Sequence, residues 1–174
     1  MIDMKNNYKR IKYMNCGYGY GVWIQIEHPE ISTEHISHVT IACFMQKKDA
    51  IELYKDLIQE VGPSICMEIV KKGQIFDDNT EYPEDKNDII GWGYYCKSVL
   101  WETIKDISEK YRCNFSYYPH SSMEYKKYIC ELHPFDLESD IKLYGKIVPV
   151  NINGSNPKMW NILSKREIEE EVKD

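Results

Sequence analysis

Residues 77–88 break the chain in two. The run Asp77-Asp78-Asn79-Thr80-Glu81-Tyr82-Pro83-Glu84-Asp85-Lys86-Asn87-Asp88 holds six acids, one lysine and no apolar periodicity. Such a segment cannot sit in a core and reads as an exposed connecting loop. The core must therefore be assembled from the two stretches that flank it.

Each flanking stretch carries strands and one helix. In the first, Gly17-Tyr18-Gly19-Tyr20-Gly21 leads into Val22, Ile24 and Ile26, which alternate with Trp23, Gln25 and Glu27 as a half-buried strand requires. Pro29 ends this strand, and a second is expected from about His38 to Phe44. Asp49 and Glu52 form a D-x-x-E helix start. Ala50, Leu53, Tyr54, Leu57, Ile58 and Val61 follow at helical spacing, and Gly62-Pro63 stops the helix. Residues 64–76 alternate again, with Ile65, Met67 and Ile69 on one face.

Beyond the loop, Ile89 to Cys96 reads as a strand and Ser98 to Arg112 as a helix with Leu100, Ile104, Ile107 and Tyr111 as its buried stripe. Phe115 to Tyr128 and Lys142 to Ile152 are strand-like, and Pro157 to Asp174 reads as a short amphipathic helix. The expected fold is α+β. It is a single domain of two pseudo-symmetric lobes, about 17–76 and 89–152, each with antiparallel strands and a packed helix. A cleft lies between them, 77–88 connects them, and a helical tail spans 157–174.

Composition narrows the class. At 174 residues and 43% hydrophobic, the chain suits one compact domain with a real core. The net charge of −6 argues against a general nucleic-acid coat, and long duplexes are not expected as partners. The acidity is local, since 77–88 carries −5 and 165–174 carries −2, which leaves the remainder at about +1. No apolar run approaches the ~18 residues of a membrane span, and residues 1–7 lack the apolar stretch of a secretory signal. A cytoplasmic monomer is expected. Cys16, Cys43, Cys66, Cys96, Cys113 and Cys130 are scattered without a CxxC pair, which points to free thiols rather than disulfides or structural zinc.

Two histidines share a context. His38-Val39-Thr40-Ile41 lies on the second strand, and His120-Ser121-Ser122-Met123 follows the second helix. Residues two apart in a strand face the same side, so His38 pairs with Thr40 and His120 with Ser122. Two imidazoles and two hydroxyls brought to one cleft are the set that phosphodiester cleavage requires. One neutral imidazole takes a proton from the attacking hydroxyl, and the other, protonated, gives one to the leaving oxygen. The hydroxyls hold the non-bridging oxygens, and neither task needs a metal or cofactor. An imidazole pKa near ~6.5 lets both forms coexist close to neutrality.

These motifs resemble those of the two-histidine (2H) phosphoesterase family, whose signature is a pair of His-x-(Thr/Ser)-x segments. The resemblance extends over roughly 21–152, with His38 and His120 standing 82 residues apart. It implies a bilobal α+β protein that cleaves a small nucleotide phosphodiester without a metal. The favoured substrate is a 2′,5′-linked oligoadenylate or a cyclic (di)nucleotide signal. It implies His38 and His120 as the acid–base pair and Thr40 and Ser122 as phosphate ligands. Viral and phage relatives degrade immune messengers of this kind, and an AT-rich codon choice suits a viral source acting in host cytoplasm. Ser121 departs from the family pattern, which has an apolar residue there. Two alternatives stay open: an enzyme processing RNA 2′,3′-cyclic ends, and a nucleotide-binding module without turnover.

Other residues are candidates for contact with the bases or phosphates. Tyr118, two residues before His120, is the best-placed aromatic; Trp92, Tyr18 and Tyr20 follow. Lys126 shares the His120 face if the strand continues that far. His28, His35 and His133 read as solvent-facing loop residues. Cys43, five residues from His38, falls on the opposite face of a regular strand, which disfavours a Cys–His dyad. No HExxH pattern occurs, and Gly17 to Gly21 lacks the order of a phosphate loop.

Overall fold

The computed structural model of the protein describes residues 17–27, 35–75, 90–126, 142–153 and 159–171. The acidic segment 77–88, His28 and His133 lie outside the described residues. The chain is α+β, with three helices and eight strands among the described residues. These are β1 (Tyr20–Ile26), β2 (His38–Met45), α1 (Lys47–Val61), β3 (Ser64–Ile75), β4 (Ile90–Lys97), α2 (Trp101–Ser108), β5 (Asn114–Phe115), β6 (His120–Lys126), β7 (Lys142–Asn151), β8 (Asn161–Ile162) and α3 (Lys165–Glu171).

All strands join one antiparallel sheet in the order β5-β2-β1-β7-β3-β4-β6, with β8 on β7. Strands from the two halves of the sequence alternate in it. β7, from beyond the acidic loop, lies between β1 and β3 from before it. Neither half owns a sheet of its own.

The sheet must also curl. β5 and β6 occupy opposite ends of the strand order, and in a flat sheet six spacings of ~4.8 Å would hold them ~29 Å apart. Yet Phe115 and His120 are only five residues apart in sequence, a reach of ~18 Å at most. The chain closes that gap by bringing β6 beside β2, with which it packs without strand pairing. A seam between β2 and β6 results.

Alternation along the strands sends Val22, Ile24, Ile26, Val39, Ile41, Ile65, Met67, Ile69, Leu143 and Ile147 to one face, where they meet Ala50, Leu53 and Leu57 of α1 and Ile104 and Ile107 of α2. The other face is apolar only locally, around Trp23, Val150 and Ile152. Trp23, expected on the polar side of β1, is therefore buried on that second face.

Helix boundaries shift from the sequence expectation. α1 begins at Lys47 with Gln46 as N-cap, so Asp49 sits inside the first turn and not at the cap. There its carboxylate still meets the positive end of the helix. Gly62 closes α1 at φ 89°, a conformation glycine adopts without penalty, and its N–H donates to the Ile58 carbonyl at 3.0 Å. α2 is shorter than 98–112. Past Ser108 the chain continues in turns that keep Tyr111 on the same stripe, and its hydroxyl donates to the Asp56 carboxylate of α1. The tail opens with β8, added to β7, before α3 begins.

Among the described residues no helix is long and apolar enough to cross a membrane. Cys43, Cys66, Cys96 and Cys113 are free thiols. Burial pushes Cys96 up to about 12, so it packs as an apolar group and is not a nucleophile.

Candidate active site

The seam brings the two histidine motifs together. The Ser116 N–H donates to the Ile41 carbonyl at 2.9 Å, which anchors the segment before β6 against β2. These two chains run antiparallel, since Ala42 pairs with Phe115 and Cys43 with Asn114. Moving back from Ile41 to His38 and forward from Ser116 to His120 is thus motion in one direction. His35 confirms the proximity, for its Nε2–H donates to the Ser122 carbonyl at 3.0 Å while its ring lies 5.9 Å from that of His38.

One local geometry occurs twice. His38 is the first residue of β2 and His120 the first of β6. Nδ1 of His38 lies 2.6 Å from the Ile36 carbonyl, and Nδ1 of His120 lies 2.8 Å from the Tyr118 carbonyl, each two residues upstream. A carbonyl oxygen only accepts, so Nδ1 carries the proton in both rings. In the neutral form, Nε2 is then the basic nitrogen of each. Three residues beyond each histidine the strand bulges. Trp23 opposes Thr40 while Val22 opposes Ala42, which makes Ile41 the extra residue. Gly93 opposes Ser122 while Trp92 opposes Glu124, which makes Met123 the extra residue. A glycine faces the second bulge, where a Cβ on Gly93 would lie 1.8 Å from the Ser121 carbonyl oxygen; Gly21, whose Cβ would lie 2.4 Å from that of Ala42, faces a separate irregularity of β2 between Ala42 and Met45.

The surroundings of the rings differ. His38 lies flat on Trp23, with centroids 3.6 Å apart and 7° between planes, and Trp160 stands edge-on to both rings. His120 neighbours Tyr95, its cross-strand partner, at 6.1 Å. Burial holds His120 below the usual imidazole range, opposed by its bond to the Tyr118 carbonyl. At neutral pH it is uncharged.

The intervening residues point into the core, as the alternation requires. Val39 and Ser121 are fully buried, while Thr40 and Ser122 are half-buried on the histidine face. A serine at the core-facing position of the second motif is answered by Tyr94, its cross-strand partner. The Tyr94 hydroxyl meets those of Ser121 and Ser37, and all three oxygens are withdrawn from solvent. Burial pushes Tyr94 up to about 12, against the lowering effect of the two serines. Ser37 precedes His38 and Ser121 follows His120, so one tyrosine touches the backbone neighbours of both histidines.

The remaining candidates separate. Tyr118 contributes its carbonyl to His120 while its side chain is exposed. Tyr18 packs on Arg112, whose guanidinium carbon is 5.3 Å from the ring, beyond the far end of β1. Five residues, or ~17 Å, separate its neighbour Tyr20 from Gln25, the partner of His38. Trp92 occupies β4 opposite Glu124, next to Gly93. β6 does continue to Lys126, but the bulge at Met123 interrupts the alternation that would carry the His120 face that far. The bulge at Ile41 likewise corrects the expectation for Cys43, which packs in the Trp23 cluster, on the His38 face. It stands five residues along the strand, ~16 Å away, and its thiol meets the Asn114 carbonyl, so no dyad forms.

His35 was expected in solvent and is instead part of the site. The loop before β2 gave no periodicity from which to place it. Trp23 and Tyr94 were hidden for the opposite reason, since both fit ordinary core positions. Among the described residues no three His, Cys, Asp or Glu side chains gather as metal ligands would. Comparison with protein-family models, curated proteins and solved structures finds no match to this chain.

Proposed function

We propose that the protein is a phosphodiesterase that cleaves a small nucleotide phosphodiester by two-histidine acid–base catalysis. In this reading the two histidine motifs line a cleft that follows the seam. The observation that carries it is the doubled geometry of His38 and His120: each opens a strand, donates Nδ1–H to the carbonyl two residues upstream, and precedes a bulge by three residues. A core histidine satisfied by one backbone bond accounts for either site alone; it does not account for two copies meeting across a seam.

The chemistry follows from the surroundings. His120, uncharged at neutral pH, takes the proton of the attacking hydroxyl at Nε2 as the new oxygen–phosphorus bond forms. His38, stacked on the electron-rich face of Trp23, gives its Nε2 proton to the leaving oxygen as that bond to phosphorus breaks. The Thr40 and Ser122 hydroxyls, on the same face, donate to the non-bridging oxygens, whose charge grows in the transition state. Proton exchange with water then restores both rings. The family resemblance implies that no metal takes part.

The test is a chromatographic panel of 2′,5′-linked oligoadenylates, cyclic dinucleotides and RNAs with 2′,3′-cyclic ends, run in EDTA. At least one is expected to be consumed, and His38→Ala and His120→Ala should each lower kcat by about 100-fold or more. Full activity in both variants overturns the proposal. Tight binding with no product identifies a binding module instead.

A further inference from the structure

We infer that the sheet face bearing both histidines binds a short single-stranded oligonucleotide through phosphates on either side of the scissile one, an inference that rests on the phosphodiesterase reading. Directly opposed residues of an antiparallel pair share a sheet face. Two rows of such pairs run inward from the histidines. His38 opposes Gln25, which opposes Lys146; His120 opposes Tyr95, which opposes Lys71. Each histidine thus has a lysine two strands away on its own face, ~10 Å across the sheet. A third row, Lys142–Glu68–Lys97, lies on the same face.

All four lysines are exposed. Among the described residues, the carboxylates ion-paired with them are Glu68, 3.5 Å from Lys97, and Glu27, 3.5 Å from Lys146. Such solvent-exposed pairs exchange readily for a phosphate. Counted over the described residues the face is basic on a molecule whose net charge is −6, so its sign does not follow from composition. Aromatic surface lies among the lysines. Tyr95 stands between Lys71 and His120, and Tyr144, exposed, stands between Lys142 and Lys146 along β7. Lysines that track a backbone and rings that accept bases are the recurring elements of single-strand binding. A mononucleotide cyclic phosphate has no further phosphates for the two rows to meet. A linear oligonucleotide does.

The test compares kcat/KM for a tetranucleotide and a dinucleotide of the linkage that the protein cleaves, in wild type, Lys71→Glu/Lys146→Glu and Lys55→Glu. Lys55 is exposed on α1, away from this face, and shows the effect of reversing one lysine charge elsewhere on the molecule, half the change made in the double variant. The tetranucleotide preference is expected to be about tenfold in wild type and in Lys55→Glu, and to collapse toward one in the double variant. Fluorescence anisotropy of a labelled tetranucleotide on His120→Ala protein reads binding without turnover. There the two lysines should account for ~1.4 of the slope of log affinity against log salt, about 0.7 for each phosphate. An unchanged preference in the double variant, or an equal loss in Lys55→Glu, overturns the inference while leaving the phosphodiesterase reading intact. Lysine-dependent binding with no cleavage of any substrate defeats that reading and leaves the binding face standing.

Discussion

The two imidazoles are fixed by the same bond but differ in what surrounds them. The consequence is a pH dependence. As the proposed base, His120 must be neutral to accept a proton, and burial holds its pKa below 6.5. On the proposed mechanism activity should therefore rise with pH through a limb lying to the acid side of 6.5. A pH series of kcat/KM checks this; a rising limb above 6.5 would assign the base elsewhere. Tyr94 poses a separate question at this scale. It touches Ser37 and Ser121, so Tyr94→Phe strips one hydroxyl from a buried trio and should cost about 1 kcal/mol in urea denaturation. Adding Ser121→Ala should cost less than it does alone, because the hydroxyl it removes has already lost its partner. Strict additivity would mean that the three oxygens do not interact. Ser121 looked like a flaw in the second motif when read alone. Tyr94, 27 residues earlier, was not recognisable as its partner because the pairing of β4 with β6 is non-local.

At the scale of elements, period-two counting succeeded wherever strands were regular and failed wherever they bulged. It placed His38 with Thr40 and His120 with Ser122 on one side, and Val39 and Ser121 on the other. It misplaced Cys43 and could not be extended to Lys126, both of which lie past a bulge. One signal was present, glycine inside strand-like sequence: Gly93 faces the second bulge, and Gly21 an irregularity further along β2. Gly93 gives the sharper test. Its missing Cβ leaves room for the Ser121 carbonyl, which would otherwise lie 1.8 Å away, and that atom is backbone that cannot swing aside. Gly93→Ala should force β4 and β6 apart, lower stability by about 1–3 kcal/mol, and displace His120 enough to abolish activity. Gly62→Ala makes the comparison useful, since nothing lies within 4 Å of its Cβ and the cost comes only from φ 89°. A penalty of about 1–3 kcal/mol with the proposed activity retained is expected there, since φ 89° with ψ 170° is a conformation essentially confined to glycine. Thermal unfolding and turnover, measured on both variants, separate the two causes.

On the scale of the whole molecule, the decisive feature is one the sequence conceals: the two edges of a single sheet meet. Counting strands and helices gave the α+β class and nearly every element. It did not give the interleaving of β7 between β1 and β3, because antiparallel partners are chosen by packing and not by order along the chain. Nor did it reveal the clasp at the seam. β2 and β6 pack side by side without pairing, and the His35 Nε2–H donates across from the segment leading into β2 to the Ser122 carbonyl of β6. If that bond holds the histidine strands at their working distance, His35→Ala should loosen the seam and leave the rest of the sheet unchanged. Hydrogen–deuterium exchange read by peptide mass is the suitable probe, since it resolves local opening from global unfolding. Peptides spanning 38–45 and 114–126 are expected to exchange faster, while those of α1 and the first half of β3 keep wild-type protection. On the proposed mechanism turnover should fall and KM should rise, because an opening between β2 and β6 parts Thr40 from Ser122 as well as one imidazole from the other. Faster exchange everywhere would make His35 a generic stabiliser. Unchanged exchange at the seam would mean that the Phe115-to-His120 connection closes it without help.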